Sequence, residues 1–411
     1  LSAPDQIPTD RQSKTYFIGN YSGEEIADYS LNYRSDGTTV RSTSVNFYTT
    51  GFLRATNLGA ISPDDANLTA SVAYKGSVAQ ADLSTNIVNL NSVLTNRQSI
   101  TYFTGIKGEE IANYSVNYRI GTTTIRSTSV NFYKNSTGAV KRATDSSITA
   151  EDALSMSVNY KKDLVLALTA DTFDVATKRN LDLIDTPDYM LLDGDPAPGN
   201  QTTNFDRQSI TYFYGIKGEE TADYSVNYKM NTSTVRSTSV NFYKNDLGQV
   251  KRATDASINA DHALYTSVSY KGDRILTSVN TTAMSDFNNL ILTDRQSITY
   301  FTGIKGEEVA NYTENYREDS TVIRSVSVNF YKNPSNQLKR ADAVTSPDDP
   351  LSVSVSYKGD SILSSLGTLS DPNGVTTNRQ SSTYFTGNYS GEEIADYSLN
   401  YRSDGTTVRS T

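Results

Sequence analysis

Residues 97–118 read RQSITYFTGIKGEEIANYSVNY, and this stretch decides the fold because close copies of it recur along the chain. Ile100 and Tyr102 alternate with Ser99 and Thr101. A two-residue period places successive side chains on opposite faces of a β-strand. The central Gly-Ile-Lys-Gly has the residues of a turn. The stretch therefore predicts a β-hairpin with one packed face and one wet face.

Copies of the opening Arg-Gln-Ser divide the chain into tandem units. A fixed self-similar period is typical of repeat architectures. The predicted units are a linker, four repeats, of which the second contains an insert, and a partial fifth repeat. Their boundaries are 1–10 for the linker, 11–96 for repeat 1, 97–206 for repeat 2 with the insert 164–206, 207–294 for repeat 3, 295–378 for repeat 4 and 379–411 for the partial repeat 5.

The first repeat resembles the fifth more closely than it resembles the second. Residues 11–43 and 379–411 differ only at Lys14, which corresponds to Ser382, and at Ile18, which corresponds to Thr386. This near-identity predicts a higher-order period of four repeats. We expect the chain to be a window cut from a longer periodic polypeptide. The alternative is that a neighbouring chain completes the last repeat by strand addition.

Each repeat contains about four alternating segments, and turn residues separate them. In repeat 2, Val130 and Phe132 alternate with Ser129 and Asn131 in the third segment. We predict an all-β fold of tandem antiparallel β-hairpin repeats, stacked as a solenoid-like or beads-on-a-string fibre. Thin hairpin layers bury little surface alone, so neighbouring repeats should share a core.

One element interrupts the strands at the same place in each repeat. Thr149-Ala150-Glu151-Asp152 precedes the last strand of repeat 2, and it combines a capping residue with acids in a first turn. That combination is a helix-start signal. The sequence therefore predicts a single helical turn before the last strand of each repeat. Apolar runs in the spacers, such as Ile87-Val88, Ile275-Leu276 and Ile362-Leu363, predict edge strands or packing loops.

The composition narrows the classes of function. The chain has no Cys and no Trp, 28 Tyr, one His and a formal net charge of −9. Without thiols it has no disulfide framework or thiolate metal site. The acidic balance argues against a nucleic-acid partner. No apolar run approaches the ~18–20 residues that a membrane-spanning helix needs.

One segment of each repeat resembles a known family of repeats. Residues 240–255 run from an aromatic pair, through a polar turn with Gly248, to Lys251-Arg252 and then Thr254-Asp255. This order resembles the tyrosine-aspartate repeats of the Rhs and teneurin type. The resemblance implies an extracellular or cell-surface protein built from tyrosine-rich hairpins. In the copy at 328–342, Asn336 stands where the Gly is expected.

The candidate catalytic and metal-binding groups favour structural interpretations. Glycoside hydrolysis needs two carboxylates flanking one bond. In the repeated pair Glu109-Glu110, neighbouring side chains on a strand point to opposite faces. We therefore expect these pairs to contact repeated arginines such as Arg11, Arg41 and Arg54 across strands. Asp64-Asp65 lacks the spacing of a Ca²⁺ loop, and Asp193-Gly194-Asp195 in the insert is a weaker metal candidate.

The remaining candidates are a histidine, the tyrosines and the Asn-x-Ser/Thr sequons. His262 occupies a position that is Asp in other repeats, which predicts a solvent-facing substitution. Most tyrosines should pack in the core, with Tyr21 and Tyr389 as exposed exceptions. Sequons matter only in a secretory protein. The candidate glycosylation sites in predicted turns are Asn20, Asn135, Asn231 and Asn388.

The sequence favours a scaffold over an enzyme because its features recur instead of forming one unique site. We expect a non-catalytic structural repeat region of a large extracellular fibre, without catalytic residues, metal or cofactor. Its partners would be copies of itself, end to end or side by side. The alternative is an adhesin stalk or a glycan-binding repeat array, in which repetition supplies avidity.

Overall fold

The structure is a computed structural model. It describes residues 11–19, 23–59, 65–83, 96–161, 207–230, 232, 234–273, 279, 284, 287–343 and 346–411. Two compact units divide the chain. The first comprises 1–212, 216–220 and 228–233, and the second comprises 213–215, 221–227 and 234–411.

The described residues form 23 β-strands. Each full repeat contains four long strands and one short strand of two or three residues, the fourth in order. The strands are β1 (Ser13–Ile18), β2 (Ile26–Tyr33), β3 (Val40–Tyr48), β4 (Leu53–Arg54), β5 (Leu68–Lys75), β6 (Arg97–Thr104), β7 (Ile111–Tyr118), β8 (Ile125–Lys134), β9 (Val140–Arg142), β10 (Ala153–Lys161), β11 (Arg207–Tyr214), β12 (Thr221–Tyr228), β13 (Val235–Lys244), β14 (Val250–Arg252), β15 (Leu264–Lys271), β16 (Arg295–Thr302), β17 (Val309–Tyr316), β18 (Ile323–Lys332), β19 (Leu338–Arg340), β20 (Leu351–Lys358), β21 (Arg379–Thr386), β22 (Ile394–Tyr401) and β23 (Val408–Ser410).

Neighbouring long strands pair antiparallel in the order of the chain. In the first unit the ladder runs β1-β2-β3-β5-β6-β7-β8-β10-β11. In the second unit it runs β13-β15-β16-β17-β18-β20-β21-β22-β23. The short strands β4, β9, β14 and β19 pair with the C-terminal ends of β3, β8, β13 and β18. The predicted all-β class of tandem antiparallel hairpin repeats is confirmed.

One face of the ladder is apolar and covered. Val45, Val72 and Ile100 lie opposite one another on adjacent strands, and each is at most 3% exposed. The spacers that follow the last strand of a repeat pack on this face. Val78 and Leu83 do so in repeat 1. The spacers thus supply the second layer that a single sheet needs to bury its apolar side.

One of the three apolar spacer runs, which the sequence predicts to be edge strands or packing loops, lies in the described residues. Ile362-Leu363 lies in a 3-10 helix, Ser361–Ser365, and Ile362 is buried against the core of repeat 4. It is a packing loop and not an edge strand. The runs Ile87-Val88 and Ile275-Leu276 lie outside the described residues.

The other face, here called the polar face, consists of rows of Ser, Thr and Asn that cross the strands. A sheet face that meets water alternates with the packed face at every residue. The longest row crosses nine successive strands of the second unit. Its members are Asn241, Ser267, Thr299, Thr313, Ser327, Ser356, Ser381, Asn400 and Ser410, none of which is buried.

The predicted helical turns are shorter than a turn of α-helix. At Thr149–Asp152 a single turn closes, with the Asp152 N–H donating to the Thr149 carbonyl at 3.2 Å. The Asp152 carboxylate caps it by accepting the Thr149 N–H at 2.8 Å. The capping of this turn predicted from the sequence is therefore confirmed, but the next strand begins before a helix can form. The 3-10 helices in the described parts are Ala55–Asn57, Gln80–Asp82, Phe287–Asn289, Ala341–Ala343 and Ser361–Ser365.

Repeat 4 departs from the apolar pattern at one position. Glu314 lies opposite Ile298 and Val326 in the ladder, and it is 7% exposed. Leu or Val occupies this position in the other repeats. The Glu314 carboxylate accepts hydrogen bonds from the hydroxyls of Tyr316 at 2.5 Å and Tyr300 at 3.4 Å. A buried carboxylate generally stabilises a fold less than a packed apolar side chain does.

We predict that Glu314→Val stabilises the chain by about 1–2 kcal/mol, because an apolar side chain removes the desolvation cost of the carboxylate. The reciprocal change Val116→Glu should cost about 1–2 kcal/mol, since it adds the same desolvation cost beside Tyr102 and Tyr118, the equivalents of Tyr300 and Tyr316. Urea unfolding followed by circular dichroism measures both changes. Destabilisation by Glu314→Val would show that the Tyr–Glu hydrogen bonds outweigh desolvation.

Candidate functional site

The second strand of a repeat contains a β-bulge at a fixed position. Tyr16 pairs with Tyr29 and Phe17 pairs with Ala27, so Asp28 has no partner opposite on β1. A bulge leaves backbone and side-chain groups outside the ladder, and buried polar groups must find other partners. The same shift leaves out Asn113, Asn311 and Asp396 in repeats 2, 4 and 5.

The backbone carbonyl before the bulged residue is satisfied by side chains of the third strand. The Ala112 carbonyl accepts hydrogen bonds from the Tyr133 hydroxyl at 2.6 Å and from the Asn131 amide at 3.3 Å. Burial raises the pKa of Tyr133 to about 12, above an ordinary value that already keeps the hydroxyl protonated at neutral pH. The equivalent acceptors are Ala27, Ala222 and Ala310, with donors Tyr48 and Asn46, Tyr243 and Asn241, and Tyr331 and Asn329.

The bulged side chain binds an arginine of the short strand. Arg54 of β4 donates from Nε to Asp28 at 3.1 Å, from Nη2 to the same carboxylate, and from Nη1 to the Leu83 carbonyl at 3.3 Å. Arg252 makes the same contacts with Asp223 and the Val279 carbonyl. Each arginine is at most 4% exposed. One guanidinium thus joins the bulged strand, the short strand and the spacer.

Asp and Asn alternate at the bulged position from repeat to repeat. Arg340 donates from Nη2 to Asn311 at 2.7 Å, but its Nε has no hydrogen-bond partner, because an amide offers one oxygen where a carboxylate offers two. Burial raises the pKa of the Asp223 carboxyl, and the Arg252 guanidinium opposes that rise. Desolvation therefore cancels much of the advantage that the carboxylate has over an amide.

We predict that Asp223→Asn changes the unfolding free energy by less than about 1 kcal/mol at neutral pH, since the desolvation cost offsets the second hydrogen bond. Arg252→Ala should cost about 3–5 kcal/mol, because it leaves the buried Asp223 carboxylate unpaired. Chemical denaturation of the two variants tests the difference. Equal losses for both variants would contradict this account of the cluster.

From repeat 2 onward, the second glutamate of the Gly-Glu-Glu turn joins one repeat to the repeat before it. Glu308 accepts the N–H of Gly306, in its own turn, through Oε2 at 2.9 Å. Its Oε1 accepts the N–H of Leu264, the first residue of the last strand of the preceding repeat, at 3.0 Å. The Leu264 N–H lies beyond the part of β15 that pairs with β16, which begins at Thr266 opposite Tyr300. The carboxylate thus satisfies a donor that the ladder does not reach.

This junction occurs four times with the same geometry. Glu110 binds the Leu68 and Gly108 N–H groups, Glu220 binds those of Leu154 and Gly218, and Glu393 binds those of Leu351 and Gly391. The eight distances span 2.7–3.0 Å.

The lysine of the same turn reaches the preceding repeat as well. The Lys217 Nζ lies 5.5 Å from the ring centre of Tyr133, and the Lys305 Nζ lies 5.3 Å from the ring centre of Tyr243. These are cation–π distances. Tyr133 and Tyr243 also donate their hydroxyls to the alanine carbonyls before the bulges. The turn of one repeat therefore contacts the residues that stabilise the bulge of the repeat before it.

The predicted pairing of the glutamates with the repeated arginines is wrong for Glu110, Glu220, Glu308 and Glu393. Their carboxylates bind backbone N–H groups, which are the nearer unsatisfied donors at the strand end. Arg54 binds Asp28, and the arginine that opens each repeat stacks on the last tyrosine of the second strand. Arg295 lies 3.8 Å from the ring centre of Tyr316, and the other four repeats have distances of 3.9–4.1 Å.

We predict that Glu308→Ala costs about 1–3 kcal/mol, because it leaves the Leu264 and Gly306 N–H groups without their charged acceptor. The adjacent Glu307 is exposed and provides a matched control. Glu307→Ala should change stability by less than about 0.5 kcal/mol. Amide hydrogen exchange at Leu264 should accelerate only in Glu308→Ala. Unchanged exchange at Leu264 in that variant would refute the junction.

The candidate glycosylation sites differ in their surroundings. Asn388 is exposed in a turn. Asn135 is half-buried, its side-chain oxygen accepts the Ala139 N–H at 2.9 Å, and its amide donates to Ser147 at 3.1 Å. Asn245 and Asn333 organise the same turn in repeats 3 and 4. Asn20 and Asn231 lie outside the described residues.

The same turn explains why asparagine replaces glycine in the copy at 328–342. Gly138 and Gly248 have φ of 85° and 76°, and Asn336 has φ of 60°. This left-handed region favours glycine, and asparagine tolerates it better than most residues do. The turn is therefore kept in repeat 4.

His262 is buried, so the predicted solvent-facing position is wrong. It is 8% exposed, and its Nδ1 accepts the Asn259 N–H at 2.9 Å. That is the bond that Asp152 makes in repeat 2 through its carboxylate. His262 therefore caps this turn in the same way as the aspartate does in repeat 2. Asp193-Gly194-Asp195 and Tyr21 lie outside the described residues, and Tyr389 is half-buried.

Sequence reasoning missed the bulge cluster and the short strands. The recurrent signal was present as the alternation of Asp28, Asn113, Asp223, Asn311 and Asp396, with an arginine after the third strand of each full repeat. Within the described ranges no group of three or more acidic or histidine side chains is arranged to hold a metal ion.

No protein-family model matches the chain, and no curated protein is significantly similar to it. In the part of the chain that the structure describes, no helix is long and apolar enough to span a membrane.

Proposed function

We propose that this chain is the non-catalytic repeat region of a large extracellular fibre. The observation that carries the proposal is the junction made by the second glutamate, which joins successive repeats four times through the N–H of the leucine at the start of the last strand of the preceding repeat. Each repeat supplies an acceptor to the repeat before it and a donor to the repeat after it. Such an array can extend by repeating the same contact, without a larger core.

The bulge cluster supports the same function. Each full repeat uses its own arginine to hold its bulged strand, and in three of them the structure also places that arginine on a spacer carbonyl. A repeat therefore completes its internal cluster and adds one junction. In arrays of this kind, stability depends on the repeats and their nearest-neighbour contacts.

Extracellular location is part of the proposal and has compositional support. The absence of Cys avoids mispaired bridges in an oxidising compartment. The resemblance of residues 240–255 to tyrosine-aspartate repeats points to the same compartment. The exposed Asn388 would be open to a glycosylating enzyme on a secretory route.

Electron microscopy of the purified chain tests the fibre function. We expect rods or filaments whose repeat advances by about 19 Å, since each repeat adds four ladder strands spaced ~4.8 Å apart. A monodisperse globule without axial periodicity would overturn the proposal. Binding of a glycan panel by such a globule would favour the alternative, an adhesin stalk or glycan-binding array.

A matched pair of variants links the fibre to the junction. Alanine at Glu110, Glu220, Glu308 and Glu393 together should shorten or disorder the rods, because each junction loses its acceptor. Alanine at the three exposed preceding glutamates, Glu109, Glu219 and Glu307, should leave them intact. Identical micrographs for both variants would show that assembly does not depend on the junction.

A further inference from the structure

The polar face of the second compact unit lacks the charge that solvent-facing surfaces usually have. The nine-residue row defined above contains only Ser, Thr and Asn, whereas 20% of the residues in the chain are charged. Surfaces of soluble domains usually mix both signs of charge over about 25–35% of their residues. Exclusion of charge from the middle of a face is typical of the centre of a protein–protein interface.

Hydrogen bonds along the polar face are largely satisfied within the sheet. The hydroxyls of Thr299 and Thr313 lie 3.0 Å apart, and those of Thr383 and Ser398 lie 2.8 Å apart. Ser354 donates to Asn329 at 2.9 Å. Covering a polar group costs little when its hydrogen bond is already made inside the protein. This face can therefore be covered at a lower desolvation cost than a charged one.

Each repeat also places one aromatic ring on the polar face. Phe301 follows Tyr300 on β16, and Phe385 follows Tyr384 on β21; because side chains alternate, each Phe shares the face of Thr299 or Thr383. Both rings are half-buried in the isolated chain. Aromatic anchors surrounded by neutral polar groups are characteristic of interface centres.

The area of the face matches what a stable association needs. Nine strands at ~4.8 Å spacing span about 40 Å, and five residues along each strand span about 17 Å, which gives roughly 700 Å². A standard protein–protein interface buries about 800 Å² on each partner.

We propose that this polar face is a self-association surface on which a second copy of the chain stacks face to face. A second copy fits because a neutral face with small, regularly spaced side chains is self-complementary, as in a two-fold interface. A nucleic acid or an anionic membrane would require cations along the rows, and there the lysines lie only at strand ends, as with Lys271 and Lys358. The inference rests on the proposed fibre function and adds lateral pairing to it.

Sedimentation velocity over a range of concentrations tests the surface. The test variant is Thr299→Lys with Ser327→Lys, two row positions on β16 and β18 that repel when two faces meet. The control is Leu247→Lys with Val322→Lys, which adds the same charge at turn positions that are 81% and 51% exposed. We expect wild type and control to dimerise equally and the test variant to dimerise at least tenfold more weakly, with unchanged circular dichroism.

A wild-type chain that stays monomeric at every concentration overturns the proposal, and so does a test variant that associates like the control. If the test variant fails to fold, Phe301→Ser with Phe385→Ser replaces it, and association as tight as in wild type would again overturn the proposal. A monomeric wild type whose face binds glycans also does so.

Electron micrographs distinguish this failure from failure of the fibre function. Filaments of single thickness from the wild type leave the fibre function standing and overturn the surface. Dimers without filaments support the surface and count against the fibre. Paired filaments in wild type and control, with single ones in the test variant, support both.

Discussion

Every repeat depends on a β-bulge, where one strand has an extra residue. The backbone groups at the bulge need hydrogen-bond partners outside the regular ladder. The bulge at Asp28 interrupts the pairing of the second strand with the first, and pairing of the second strand with the third stops next to it, at Tyr29. Leaving the Ala27 carbonyl or the bulged side chain without a partner would cost about 1–3 kcal/mol each. A tyrosine hydroxyl, an asparagine amide and an arginine meet this need, and they fix residue identity at these positions in all four full repeats.

The bulge also connects the inside of a repeat to its neighbour. The short strand occupies the edge of the third strand that the bulged strand has left, and it brings the arginine into place. The last strand then begins before its partner in the next repeat, which exposes one N–H to the glutamate of the next turn. The β-bulge of one repeat thus leads to a hydrogen bond between that repeat and the next. This explains how a thin sheet with a modest core can be extended.

The sequence was sufficient for the fold class because side-chain alternation is a local property. Val130, Phe132 and their neighbours predict both faces of a strand correctly. Contacts that depend on register could not be predicted, since a bulge changes which residues face each other. Asp28 looks like any strand residue until the shift between Tyr16 and Phe17 is known. His262 was misjudged for a related reason: Asp at the equivalent positions suggested exposure, but Asp152 and His262 both accept a backbone N–H of their turn.

The central claim is that each repeat stabilises the one before it through the second glutamate. The most direct measurement compares the chain with one in which residues 295–378 are present twice in tandem. We expect the longer chain to fold, its rods to lengthen by about 19 Å, and its denaturation midpoint not to fall. We also expect Glu→Ala in the added copy alone to abolish the protection of the leucine amide before it. A longer chain whose added repeat stays unfolded, or a leucine amide equally protected with and without the glutamate, would contradict this claim.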